Sequence, residues 1–313
     1  MPLDPHAKRL LDMLAAAGAP GSSVLTPARM REAMRGLAVT VDAKGVPGVE
    51  IADRELPGSG GTLPVRVYTP DTARDGESAG IVYFHGGAAV FCSVQTHDGL
   101  CRLLAKSSGC RVISVEYRLA PEHAFPAAIE DAYFATRWVS DHARELGIDP
   151  ARLAVAGDSA GATLATVTCM LARERGGPAL ALQLLFCPVT DLAAESASRL
   201  ALGTGYFIER TTLRWAMELY CPPSVNREDP RISPLRARDL SGLPRAHVHT
   251  AEFDPMRDEG SAYAERLREA GVEVACTCHE GMIHNFYCMA GVIPRARRIV
   301  EEVGATVGGA LRG

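Results

Sequence analysis

The run Leu153-Ala-Val-Ala-Gly157-Asp158-Ser159-Ala160-Gly161 constrains the fold more than any other stretch of this chain. A short apolar run leads into a serine set between two glycines, G-x-S-x-G, and residues 159–173 then read as a helix. Small residues two positions either side of the serine let strand and helix approach, and the tight turn lifts the hydroxyl out of the sheet. The helix N-terminus aims free N–H groups and the positive end of its dipole at that place, which favours negative charge. Such a turn belongs at the end of a strand in a sheet whose faces carry helices.

The rest of the chain alternates in the way this requires. Residues 63–68, 81–84, 112–117, 153–156, 180–186, 247–253 and 272–279 are short runs rich in apolar residues. Helical segments at 126–144, 159–173 and 260–270 lie between several of them, which implies an α/β fold with a mostly parallel twisted sheet covered on both faces. Two helices precede the alternation. One spans about 5–17, with Leu10, Leu11 and Leu14 on one face, and one opens at Thr26-Pro27, an N-cap followed by proline at the first helical position. Residues 45–61 read as turn-rich. Residues 192–223 interrupt the alternation and carry a helix near 211–220. The expected organisation is a catalytic α/β domain of 46–191 and 224–313, a cap insertion at 192–223, and residues 1–45 as a helical part of that cap.

Composition narrows the function. With a net charge of −4 and no basic tract, nucleic acid is not an expected partner. No apolar run reaches the roughly 18 residues of a membrane helix. At the N-terminus Asp4 comes early and the apolar positions fall at helical spacing, unlike a secretory signal, so a cytoplasmic protein is expected. The nine cysteines are an odd number, and Cys276 and Cys278 stand one residue apart, not as a CxxC pair; free thiols in a reducing compartment fit this best.

A serine hydroxyl needs a base, the base needs an acid to orient it, and a developing oxyanion needs donors. Downstream histidines are His247, His249, His279 and His284. The first two lie in or beside a strand. His279 ends the strand reading at 272–279, and His284 falls in the loop 281–286 after it, where a base belongs; His284 is preferred and His279 is the alternative. Among Glu252, Asp254, Asp258 and Glu259, Asp254 stands where the strand 247–253 ends and Pro255 breaks the ladder, while Asp258 and Glu259 suit the first turn of the next helix. Asp158 is read as holding the turn beside Ser159. Upstream, the apolar run 81–84 leads into His85-Gly86-Gly87, a backbone cradle for a negative oxygen, with His85 bracing the loop.

These residues together resemble the bacterial hormone-sensitive-lipase family of α/β hydrolases. The resemblance rests on HGG at 85–87, GDSAG at 157–161, Tyr117-Arg118-Leu119-Ala120-Pro121-Glu122 with Phe125-Pro126, Asp254-Pro255-x-Arg257-Asp258, and the late His284-x-Phe286. It covers the chain from about residue 64 to the end and implies an α/β-hydrolase fold with a helical cap. It implies a serine carboxylesterase of short- to medium-chain acyl esters, with no cofactor and no metal. The triad would be Ser159, Asp254 and His284, with oxyanion donors at the backbone N–H groups of Gly86, Gly87, Ala88 and Ala160. Arg118 and Glu122 would serve structure. Homodimers, which members often form through the last strand and helix, are a further implication. An amidase or lactonase would use the same triad, and a non-catalytic binding protein is possible on the same fold.

The departures fall beside the site. Ala88 stands where the family usually has a third glycine, Ala89 where it has an aromatic, and Cys92 where it has a later glycine. An alanine at position 88 still donates its N–H, at a cost of order 1 kcal/mol if φ is positive there. Ala89 is expected to open space in the substrate pocket, with Phe91 placed to refill it.

Overall fold

The computed structural model describes residues 2–18, 26–58, 60–74 and 76–313. Two helices come first, α1 (Pro5–Ala17) and α2 (Pro27–Val41). Each has proline in its first turn and a side-chain cap: Asp4 accepts from the His6 and Ala7 N–H groups, and Thr26 from Arg29. A hairpin follows, β1 (Val49–Gly58) and β2 (Gly61–Pro70), and then β3 (Ser78–Phe84), α3 (Asp98–Ser108), β4 (Arg111–Val115), α4 (Ala127–Asp141), β5 (Ile148–Asp158), α5 (Ala160–Arg175) and β6 (Leu182–Phe186). The segment after β6 carries α6 (Ala197–Leu202) and α7 (Arg210–Tyr220). The chain ends with β7 (Arg245–Phe253), α8 (Arg257–Glu269), β8 (Val274–Ile283) and α9 (Pro294–Arg312).

The described residues form one eight-stranded sheet in the order β1-β2-β4-β3-β5-β6-β7-β8. β1 and β2 are antiparallel, as are β2 and β4, and every neighbouring pair from β4 through β8 is parallel. β3, second in from the parallel edge at β4, is buried along its whole length. Its Val82 and Phe84 point into a core layer shared with α4, α5 and α8, while Ile81 and Tyr83 point into a second layer with α1, α3 and α9. Burial on both faces explains why the inner strands read as continuous apolar runs and not as alternations.

Two expectations need correction. Residues 45–61 are not simply turns: β1 pairs with β2 residue by residue from Val49↔Pro70 to Gly58↔Gly61. As an outer strand it is mostly half-exposed or exposed, so it lacks the apolar signal of the inner strands. The last strand also runs on to Ile283, so His279 lies within β8 and His284 follows its last residue directly. Between the pairs Ala251↔His279 and Phe253↔Ile283 the register shifts by two extra residues on β8, which lets β8 continue along β7.

Candidate active site

Parallel strands bring their carboxyl ends to one edge of the sheet. β3 ends at Phe84 and delivers His85-Gly86-Gly87; β5 ends at Asp158 and delivers Ser159; β7 delivers Asp254, and β8 delivers His284. Ser159 has φ 54° and ψ −120°, outside the ordinary basins of an L-residue, and its N–H donates to the Phe186 carbonyl at 2.8 Å. The flanking glycines have a steric reason. A Cβ on Gly157 would meet Gly161 at 2.3 Å, and one on Gly161 would meet the Phe84 carbonyl oxygen at 2.0 Å. The serine turn is thus pressed between β3 and the first turn of α5.

His284 and Asp254 are buried side by side, with Nδ1 2.9 and 2.8 Å from the two carboxylate oxygens. One oxygen of Asp254 also accepts the Met256 N–H at 2.7 Å, which fixes the carboxylate. Burial alone would push the His284 pKa down, but the Asp254 charge and hydrogen bond outweigh it and hold the ring above the ordinary 6.5. With Nδ1 turned to Asp254, Nε2 is the nitrogen left over; it is buried and makes no hydrogen bond among the described residues. His279, the alternative base, instead stands 3.1 Å from His249, ring on ring, and burial lowers the pKa of both.

The cradle after β3 is built around Asp158. Its Oδ1 accepts the Tyr83 hydroxyl at 2.6 Å and the Gly86 N–H at 2.9 Å, and its Oδ2 meets His97 Nε2 at 3.2 Å. The expected donor set therefore loses Gly86, whose N–H is already used. The N–H groups of Gly87, Ala88 and Ala160 donate to no partner among the described residues. Gly87 has φ 104°, and a Cβ there would meet the Phe91 carbonyl oxygen at 2.0 Å. Ala88, Ala89 and Cys92 have φ of 55°, 56° and 68°, so all three substitutions away from the family pattern sit in the left-handed region. His85 is buried, stacks on Tyr117 and donates to the Gly86 carbonyl at 2.7 Å; burial, then His97, takes its pKa to about 3. It braces the loop as a neutral ring. Sequence reasoning did not find His97, which lies 61 residues before its partner Asp158.

Ser159, Ala88, Ala89 and Ala160 open onto a cavity of about 560 Å³. Leu164 and Met256 line it from the sheet side, and Val189, Leu192, Leu213 and Met217 from the segment after β6. Phe91 does not line it; it packs at the edge of the core. No described residue before Ala88 reaches the wall. From α2, Arg31 instead reaches the back of the cradle, donating to the Val90 and Ala120 carbonyls at 2.9 Å each and pairing with Glu122 at 2.7 Å. Arg118 grips Asp131 at 2.8 and 2.7 Å.

Known proteins resemble this chain in sequence and fold. A family model described as the alpha/beta hydrolase fold matches residues 81–288. The carboxylesterase NlhH of Mycobacterium tuberculosis is 39% identical over 94% of this chain and 92% of its own. The carboxylic ester hydrolase LipN of the same organism is 43% identical over 76% of this chain, and the match spans 64% of that relative's length. The solved structure of the ester hydrolase EH1AB1 from the Lake Arreo metagenome, in complex with a bipyridine phosphonate derivative, superposes with a TM-score of 0.96 at 40% identity, covering 99% of this chain and 100% of that one. The chain belongs to the α/β-hydrolase fold family, in its hormone-sensitive-lipase-like branch.

Proposed function

We propose that this chain is a serine carboxylesterase that hydrolyses short- to medium-chain acyl esters through an acyl-enzyme. One observation carries the reading: the strained Ser159 turn opens, together with unspent backbone N–H groups, onto an apolar cavity at the strand ends that also hold the buried His284–Asp254 pair. The names of its relatives support it. In this mechanism Ser159 Oγ attacks the ester carbonyl and His284 Nε2 takes its proton. Asp254 keeps Nδ1 protonated and stabilises the imidazolium. Gly87, Ala88 and Ala160 stabilise the oxyanion, each donor worth roughly 3 kcal/mol by comparison with donors removed elsewhere. His284 then returns the proton to the leaving alcohol, and water activated by the same base releases the acid.

The cavity falls within the size range of small-molecule pockets. Residues 192–223 act as the cap, since they supply much of its wall. The N-terminal helices, expected as part of the cap, supply none of this wall; α2 instead braces the back of the cradle through Arg31. Among the described residues no helix is long and apolar enough to cross a membrane. The test is hydrolysis of p-nitrophenyl esters from acetate to palmitate. The wild type should prefer acetate to octanoate, and Ser159→Ala should lower kcat by at least about 10³-fold with the fold intact. Full activity in that variant contradicts the assignment.

A further inference from the structure

A third side chain stands beside the buried histidine and aspartate. The Cys187 sulfur, a carboxylate oxygen of Asp254 and a ring nitrogen of His284 all lie within 4.8 Å of one another, and all three side chains are buried. Cys187 directly follows β6. Its backbone has φ 43° and its N–H donates to the His249 carbonyl at 2.7 Å, so the thiol is pinned at the strand end and not carried on a loose loop. The buried Tyr287 hydroxyl lies beside the Cys187 thiol. His284 Nε2 is buried and makes no hydrogen bond among the described residues.

We propose that Cys187, Asp254 and His284 form an inhibitory site for a thiophilic divalent cation of the zinc or cadmium class. The inhibition rests on the catalytic role given to His284 above; the binding does not. The ligand set is one thiolate, one carboxylate and one imidazole, a combination such ions take with roughly tetrahedral geometry and bonds of about 2.0–2.3 Å. Charge closes as well. The ion displaces the thiol proton to solvent, forms a metal–sulfur bond without any redox change, and meets two anions, so the buried site is neutral. Metal on either ring nitrogen stops the base. On Nε2 it takes the lone pair that would accept the serine proton; on Nδ1 it forces the ring proton onto Nε2.

A second cluster, His97, Asp158 and Cys288, has comparable spacing. There both ring nitrogens of the histidine are engaged, by Thr96 and Asp158, and Asp158 also holds Tyr83 and Gly86, whereas His284 keeps Nε2 without a partner among the described residues although Asp254 holds its Nδ1. It therefore serves as the internal control.

Cadmium alone is the probe, read by the ultraviolet thiolate-to-cadmium charge-transfer band and by the rate on p-nitrophenyl butyrate, each variant scored against its own metal-free rate. In the wild type one equivalent of band should appear, with slow onset because the site is buried, and kcat should fall at least tenfold with KM unchanged. Cys187→Ser and Cys187→Ala should need at least tenfold more cadmium for half-inhibition and lose that equivalent of band; Cys288→Ser should behave as the wild type. Asp254→Asn, read by the band alone, should bind at least tenfold more weakly, which keeps the test open if the Cys187 variants do not fold. Equal sensitivity in the Cys187 variants, loss of the effect in Cys288→Ser, or an active esterase with no band overturns the site. A protein that shows the band but no esterase rate contradicts the functional reading and leaves the metal site standing.

Discussion

Asp158 holds the cradle through three contacts from one buried carboxylate, to Tyr83, Gly86 and His97. Removing its charge while keeping its shape should shift the Gly87 and Ala88 donors without touching the proposed nucleophile. Asp158→Asn should lower kcat/KM on p-nitrophenyl butyrate by roughly 10- to 100-fold, mostly in kcat, since small misplacements of catalytic groups cost that much; an unchanged kcat would show that the cradle does not depend on this carboxylate. At His284 the sign of the pH dependence follows from its environment. The proposed mechanism needs the neutral ring, and Asp254 raises the pKa above 6.5 against the pull of burial. The kcat/KM profile should therefore rise with pH around a midpoint above 6.5, and Asp254→Asn should move that midpoint down. A wild-type midpoint below 6.5 contradicts the pairing. Ser159, Asp254 and His284 were legible in the sequence because each is marked by its own surroundings: two glycines, a strand-ending proline, a loop before the last helix. The use of the Gly86 N–H was not, because its partner lies 72 residues further on.

At the scale of elements, the segment after β6 is fastened to the sheet by a buried ion pair. Arg199 of α6 stands 2.6 Å from Glu259 at the start of α8, and Glu259 also accepts the Thr190 N–H at 2.8 Å. Burial raises the Glu259 pKa to about 7 even with the arginine present. Arg199→Ala would leave a buried carboxylate without its cation, which typically costs about 3 kcal/mol or more. Urea unfolding at pH 8 should show a loss of that order; a loss below about 1 kcal/mol would mean the segment is held by its apolar contacts alone. The inner strands were legible as short apolar runs because both of their faces are covered. β1 was not, because an outer strand with exposed residues carries little hydrophobic pattern. α3 was passed over although its buried residues, Leu100, Leu103 and Leu104 among them, fall at helical spacing; its first turn adjoins the irregular stretch after the cradle.

For the whole molecule, the class of fold followed from alternating strands and helices, but the strand order did not. That β3 pairs with both β4 and β5, and that β2 turns antiparallel to β4, depends on crossovers no local pattern records. The same order explains the site. Four strand ends separated by up to 199 positions in the chain, from Phe84 to Ile283, come together at one edge, and residues of the segment 192–223 line the cavity there. The central claim is that Ser159 is the nucleophile of this assembly. It is tested most directly by treating the protein with a p-nitrophenyl alkylphosphonate and mapping the adduct by mass spectrometry. One phosphonyl group per chain, on the peptide containing Ser159, with esterase activity lost in step and no adduct in Ser159→Ala, is the predicted result. A stoichiometric adduct on another residue, or an unmodified Ser159 in an inactivated enzyme, would contradict it.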